Sequence, residues 1–135
     1  MNLSWLSRHK DLGHTILRVG IGAMMTLHGW PKLAGGQQAW ARVGGALAHF
    51  GIAFWPTVWG FLAAVGETLG GALLVVGLLT RLSALTLTGI MVVATVAVYH
   101  ASSGKFTEWS HPAEVGIACL ALAFLGGGKF GLDRN

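Results

Sequence analysis

Apolar residues run along this chain in four long stretches, with short polar segments between them. The stretches cover residues about 13–30, 56–79, 82–100 and 112–126. About 20 apolar residues are needed to cross the hydrocarbon core of a bilayer as an α-helix. Transmembrane strands are a poor alternative, because the stretches lack the alternation of a strand and are twice the necessary length. The pattern therefore predicts four transmembrane helices, with the end of the fourth the least defined.

Composition supports a membrane protein over a soluble one. Only 10% of the 135 residues are charged and 53% are hydrophobic. Soluble domains usually carry about 25% charged residues, so this chain lacks the polar surface that a water-soluble globule needs. We therefore expect an all-α membrane protein, a four-helix bundle forming a single domain over residues 1–135. A cleaved signal peptide is a poor alternative for the first stretch, because Arg18 interrupts it.

The connections between the stretches add two further expectations. Only Thr80 and Arg81 separate the second and third stretches, which predicts an antiparallel helical hairpin. Between the first and second stretches, apolar residues of segment 37–50 recur at helical spacing: Trp40, Val43, Leu47 and Phe50. This indicates a short helix lying at the membrane surface. Two interpretations remain open, a plain interfacial anchor and a lid over a cavity between the helices.

Basic residues predict the orientation of the bundle. Five of them fall on the side of the termini and the short turn, namely Arg8, Lys10, Arg81, Lys129 and Arg134. Three fall on the opposite side, namely Lys32, Arg42 and Lys105. The positive-inside rule then places both termini in the cytoplasm of a multi-pass protein of the plasma (inner) membrane. The net charge of +4 suits anionic headgroups. The basic residues are scattered, so we expect no nucleic-acid partner.

Glu67 is the most informative single residue, because it lies in the middle of the second apolar stretch. An ionised carboxylate at that depth is costly and should have a partner. Arg18 in the first stretch is the partner that the sequence suggests. Such an intramembrane pair could serve chemistry or only hold two helices in register.

Helical spacing places both charged residues on faces rich in small residues. On the first stretch that face carries His14, Arg18, Gly22, Met25 and Gly29. On the second it carries Gly60, Ala64, Glu67 and Gly71. Small residues allow helix backbones to approach closely in a membrane. The two helices are therefore expected to pack against each other, antiparallel.

A second group of polar residues lies at the opposite, outer ends of the helices. Its members are His28, Lys32, Tyr99, His100, His111 and Glu114. Three interpretations remain open: ordinary interfacial polar residues, a small-molecule or quinone site, and a metal site. No two of them have metal-ligand spacing on one helix, so we expect no metal. Cys119 is the only cysteine, which excludes a disulfide within one chain.

Five short motifs, in order along nearly the whole chain, carry a family resemblance. They are LRVG at 17–20, HGWPKL at 28–33, ETLGG at 67–71, GLLTR at 77–81 and GLD at 131–133. Together they resemble the DoxX family of small membrane proteins. No single motif is specific, and the last has Gly where the family commonly has Ser.

The resemblance implies a four-helix membrane protein associated with redox roles. Relatives of the DoxD branch belong to a quinone-reducing oxidoreductase, and other members are linked to quinone or catechol stress. Arg18, His28, Lys32 and Glu67 match polar positions of the family, and Arg81 matches its basic residue after the second span. The resemblance thus favours a quinone as ligand, with no covalent cofactor.

Two classes of function remain open at this point. One is a membrane redox protein, a quinone-handling protein or a subunit of a quinone-linked oxidoreductase, with a soluble redox partner or a second membrane subunit. The other is a non-catalytic scaffold or a permease for a small solute. A homo-oligomer fits either class, and the sequence leaves open whether the protein is an enzyme.

Overall fold

The computed structural model describes residues 2–133 as a set of α-helices, with no strand in that range. The helices are α1 (Ser4–Arg8), α2 (Lys10–Ala34), α3 (Gly36–Gly44), α4 (Pro56–Val76), α5 (Thr80–Ala101) and α6 (Phe106–Leu125), and a 3-10 segment, Gly45–Phe50, follows α3. The all-α class is therefore confirmed. Two of the helices, α4 and α5, are long and apolar enough to cross a membrane.

The helices contain the predicted stretches but differ from them at their ends. The predicted turn at Thr80 and Arg81 is wrong, because these residues form the first turn of α5 and the connection is Gly77–Leu79. Gly77 adopts a left-handed φ of 72° and ends α4, as glycine does at many helix C-termini. Helix α6 begins at Phe106, six residues before the predicted start at Pro112. Arg134 of the predicted orientation lies outside the described residues.

Helices α2 and α4 pack closely and antiparallel, through glycines. A Cβ on Gly22 would lie 2.6 Å from the Gly71 carbonyl oxygen, and one on Gly29 would lie 2.7 Å from the Glu67 Cβ. The small-residue faces predicted for these helices are buried, except that His14 is half-buried. The buried members are Arg18, Gly22, Met25 and Gly29 on α2, and Gly60, Ala64, Glu67 and Gly71 on α4.

The remaining helices complete the fold around this pair. Helix α5 packs along α6, and their shared core includes Leu87, Cys119 and Leu122, all fully buried. Helix α3 lies against α4, where Gly44 and Gly60 leave room for the facing backbone. The contact between α4 and α5 is less extensive than the α2–α4 and α5–α6 contacts. That thinner contact leaves space beside α4, which is where the candidate site lies.

Candidate ligand-binding cavity

Glu67 is one of two buried charged residues in residues 2–133, with only 1% of its side chain exposed; the other is Arg18. Its carboxylate is held by Lys32, whose Nζ lies 2.8 Å from both Oε1 and Oε2. Lys32 is 36% exposed, so its apolar stem is covered while its ammonium group reaches the carboxylate. A partner for Glu67 was expected from its depth in the apolar stretch, and the structure supplies one from the last turn of α2.

The predicted pairing of Glu67 with Arg18 is not the one that the structure contains. Contact between Gly29 and Glu67 fixes the register of the two helices. Lys32 is three residues from Gly29 and shares its face. Arg18 is eleven residues from Gly29, which is about 16 Å along the helix at 1.5 Å per residue. The glycine contacts therefore bring Lys32, and not Arg18, to the carboxylate.

Arg18 instead caps the other end of α4. Its Nη1 donates hydrogen bonds to the carbonyl oxygens of Leu74 and Val75, the latter at 2.8 Å. Carbonyls in the last turn of a helix lack helical partners and carry partial negative charge. A fully buried guanidinium can satisfy both, so Arg18 has a structural role at this position.

A cavity of about 590 Å³ lies beside the Lys32–Glu67 pair. Its walls come from α3, the 3-10 segment, α4 and α5. The lining is mostly apolar and includes Val43, Leu47, Leu62, Leu85, Ile90, Val93, Ala97 and Val98. Segment 37–50 thus supplies one wall of a cavity between helices, which is the arrangement that the lid interpretation requires.

Five polar side chains line this cavity: Lys32, Glu67, Arg42, Trp59 and Thr86, the last with its hydroxyl donating to the Leu82 carbonyl oxygen. Arg42 is exposed at one end and makes no ion pair with the side chains that the structure describes. The indole Nε1–H of Trp59 is buried, and no acceptor lies within hydrogen-bond distance in residues 2–133. A buried donor without a partner is uncommon in folded proteins. The cavity therefore combines two cations, one carboxylate and one free donor with an apolar wall.

The predicted outer cluster is only partly brought together. His28 and His111 lie with ring centroids 6.3 Å apart. Tyr99 and His100 form a separate edge-on pair at 5.6 Å. Glu114 is exposed on α6. Of the six predicted residues, Lys32 alone lines the cavity. Across residues 2–133, no three His, Cys, Asp or Glu side chains group closely enough to hold a metal ion.

Sequence reasoning missed three residues in and near the site. The sequence pattern assigned Trp59 to no site, and Arg42 served only to predict the orientation of the bundle. His49 stacks on His100 with ring centroids 4.5 Å apart and planes 7° from parallel. The helical spacing of segment 37–50 singled out Val43 and Leu47, which line the cavity, but not Arg42, and nothing in the sequence shows which indole lacks an acceptor.

Asp133 is a further missed residue, at the end of α5 remote from the outer cluster. Its carboxylate accepts hydrogen bonds from the backbone N–H groups of Leu79 at 2.9 Å and Thr80 at 2.6 Å. These donors lie at the N-terminus of α5, where a carboxylate is a favourable cap. The hydrogen bond from Thr80 contributes most to lowering the pKa of Asp133 below its ordinary value.

Helices long and apolar enough to cross a membrane, packed beside an apolar cavity with an ion pair in its wall, are features expected of a membrane protein with room for a small ligand. A comparison with known protein families identifies the family of this chain. The family model described as DoxX matches residues 13–100, and the chain belongs to the DoxX family. No curated protein and no solved structure gives a significant match.

Proposed function

We propose that this DoxX protein crosses the plasma membrane four times, with both termini in the cytoplasm, and binds a quinone or quinone-like compound in the cavity. Helices α4 and α5 meet the length and hydropathy that a span needs. The proposal adds α2 and α6 as spans. A quinone ligand agrees with the redox roles that the family resemblance implies.

The exposed faces of α2 and α6 support their assignment as spans. Large apolar side chains are more than half exposed on both, namely Ile16, Met24, Leu27 and Trp30 on α2, and Ile117, Phe124 and Leu125 on α6. Continuous apolar surface of this kind suits lipid better than water. The polar residues that lower the hydropathy of α2 include Arg18 and Lys32, both of which have protein partners.

The observation that carries the quinone proposal is the mostly apolar cavity lined by Lys32 and by the Trp59 indole, whose N–H has no acceptor within residues 2–133. A quinone ring has carbonyl oxygens that accept hydrogen bonds and an apolar body that fits an apolar wall. Lys32 and Trp59 are both donors. A cavity of about 590 Å³ lies within the usual 300–1,000 Å³ range of small-molecule sites.

In this proposal Glu67 holds the Lys32 ammonium group in place, and Arg42 faces the polar end of the cavity. Electrons for any reduction would come from a partner, either a soluble redox protein or a second membrane subunit. A scaffold or a solute permease would use the same fold, but the mostly apolar lining of the cavity suits a quinone better than a polar solute.

Ligand binding by the detergent-purified protein tests the proposal. We expect a short-chain benzoquinone to bind the wild type, and Trp59→Phe to weaken binding about five- to tenfold, the cost of one hydrogen bond worth about 1 kcal/mol. Trp109→Phe is the matched control. Its indole donates to the Gly104 carbonyl oxygen at 3.2 Å and lies outside the cavity, so binding should be unchanged.

Two results would contradict the quinone proposal. One is a wild type that binds no quinone and carries none in mass spectrometry of its lipid extract. The other is equal loss of binding in Trp59→Phe and Trp109→Phe. Solute flux in proteoliposomes, without quinone binding, would support the permease instead.

A further inference from the structure

The cavity is elongated along α5. Its lining residues on that helix form a single stripe, namely Leu85, Thr86, Gly89, Ile90, Val93, Ala94, Ala97 and Val98. From first to last the stripe covers 14 residues, which are 13 steps of 1.5 Å, or about 20 Å. This is longer than an aromatic headgroup needs, so the cavity has room for an attached chain.

The polar groups occupy one part of this length. Gly66, next to Glu67, lies against Ile90, because a Cβ there would come within 2.8 Å of the Ile90 side chain. Trp59 lies about two turns further toward the N-terminus of α4. Since α4 and α5 are antiparallel neighbours, the polar groups face the half of the stripe from Ile90 to Val98. The half from Leu85 to Gly89 faces no charged lining residue.

The apolar half is also the open half. Leu85 is 55% exposed although it lines the cavity. Thr86 and Gly89 are exposed as well, whereas the lining residues from Ile90 to Val98 are half-buried. A Cβ on Gly89 would meet nothing within 4 Å. Leu85, Thr86 and Gly89 therefore mark an opening of the cavity beside α4, here named the α4–α5 cleft.

We infer that the ligand enters from the bilayer through the α4–α5 cleft and carries a hydrocarbon chain that lies along α5. This inference rests on the proposed function, since it concerns the same cavity. The ring lies beside Lys32, Glu67 and Trp59, and the chain extends past Gly89 toward lipid. The substrate class is therefore a lipid-soluble quinone with a chain, taken from the membrane, and not a water-soluble one.

The open space at Gly89 gives a direct test. Gly89→Trp should fill the cleft without colliding with the fold, and replacing a helical glycine does not weaken the helix. Gly20→Trp is the matched control. Gly20 is also an exposed helical glycine with nothing within 4 Å of its Cβ position, but it lies on α2 away from the cavity.

Binding would be measured in phosphatidylcholine nanodiscs with two probes, a benzoquinone bearing a ten-carbon chain and the same ring bearing a methyl group. We expect Gly89→Trp to weaken binding of the chain-bearing quinone at least tenfold and binding of the methyl quinone less than twofold. Gly20→Trp should bind both probes as the wild type does. Leu85→Trp, one turn away in the same cleft, should repeat the result if Gly89→Trp folds poorly by melting temperature.

The outcomes separate this inference from the proposed function. If both cleft variants bind both probes like the wild type, the entrance is elsewhere and the inference is overturned, while the proposed function stands. If the wild type binds neither probe, the proposed function fails and the inference with it. Loss of a dimer in Gly89→Trp with unchanged binding of both probes would also overturn the inference, since the cleft would then be an interface between copies of the chain.

Discussion

At the scale of single residues, the central finding is that Glu67 and Arg18 have separate partners. Glu67 is neutralised by Lys32, and Arg18 satisfies two carbonyl oxygens at the end of α4. Leu74, the nearer of those carbonyls, is seven residues beyond Glu67, or about 10 Å along the helix. The two charges therefore stabilise the fold by independent interactions at opposite ends of the α2–α4 contact.

A double-mutant cycle tests this assignment. Lys32→Met leaves a buried carboxylate without its cation, and losing one member of a buried pair typically costs about 3–5 kcal/mol. Partial exposure of Lys32 should place the cost near the lower end of that range. We expect Lys32→Met with Glu67→Leu to recover most of the loss in melting temperature in detergent. The coupling energy between positions 32 and 67 should exceed about 1 kcal/mol.

The same cycle on positions 18 and 67 is the control. Because Arg18 and Glu67 share no partner, Arg18→Met and Glu67→Leu should lower stability additively, within about 0.5 kcal/mol. Strong coupling of Glu67 to Arg18 and none to Lys32 would contradict the register of α2 on α4.

At the scale of helices and their ends, the N-terminus of α5 depends on a residue from the far end of the chain. Asp133 accepts hydrogen bonds from Leu79 and Thr80, and its own N–H donates to the Gly77 carbonyl oxygen at 2.7 Å. The segment after α6 therefore fixes the α4–α5 connection. These hydrogen bonds connect the GLLTR motif at 77–81 with the GLD motif at 131–133, so the two motifs form one contact in the fold.

The capping carboxylate predicts a pH dependence. The pKa of Asp133 is lowered in the folded protein, chiefly by the Thr80 N–H, from an ordinary value of 3.8. A group with a depressed pKa stabilises the fold above its ordinary pKa, and that stabilisation is lost as pH falls through the folded value. At pH 7, Asp133→Ala should cost about 1 kcal/mol, as the loss of a helix cap does.

Melting temperatures in detergent, measured from pH 7 to pH 3, would check the pH dependence. The wild type should lose stability below about pH 4 more steeply than Asp133→Asn, whose amide does not titrate. Asp11→Asn is the control and should follow the wild type, because the Asp11 carboxylate accepts no hydrogen bond within residues 2–133. Parallel curves for wild type and Asp133→Asn would exclude a capping role for the carboxylate.

At the scale of the whole molecule, three parts of the chain meet at one end of the bundle. Gly128 lies against the His14 side chain near the start of α2, and Gly131 lies against Gly77. Asp133 contacts Thr80. The start of α2, the α4–α5 connection and the segment after α6 therefore share one end, and the α5–α6 connection lies at the other.

Reporter fusions test the proposed topology at this scale. Fusions at the N-terminus, at the Gly77–Leu79 connection and at the C-terminus should all report the cytoplasm. Fusions within 51–55 or 102–105 should report the opposite side. Opposite locations for the two termini would eliminate the four-span proposal itself. A complete reversal of all signals would overturn the orientation alone, because it follows from a basic-residue difference of five to three.

The sequence by itself determined the features that depend on local periodicity and on the cost of burying charge. It predicted the all-α class, the helical segment after the first apolar stretch and most of the buried faces of α2 and α4. It also predicted that Glu67 needs a cationic partner, since that requirement follows from its depth in an apolar stretch. The family followed from short motifs in order along the chain.

Only the tertiary structure decided which residues those requirements bring together. Spacing gives the face of a residue on its helix but not the register of one helix on another, and contacts at Gly22, Gly29 and Gly71 set that register. A shift of a few turns would exchange Lys32 for Arg18 as the partner of Glu67. The cavity likewise depends on how α3 and α5 diverge around α4. Its free Trp59 donor and the cap at Asp133 follow from contacts between segments far apart in the chain, which no local pattern records.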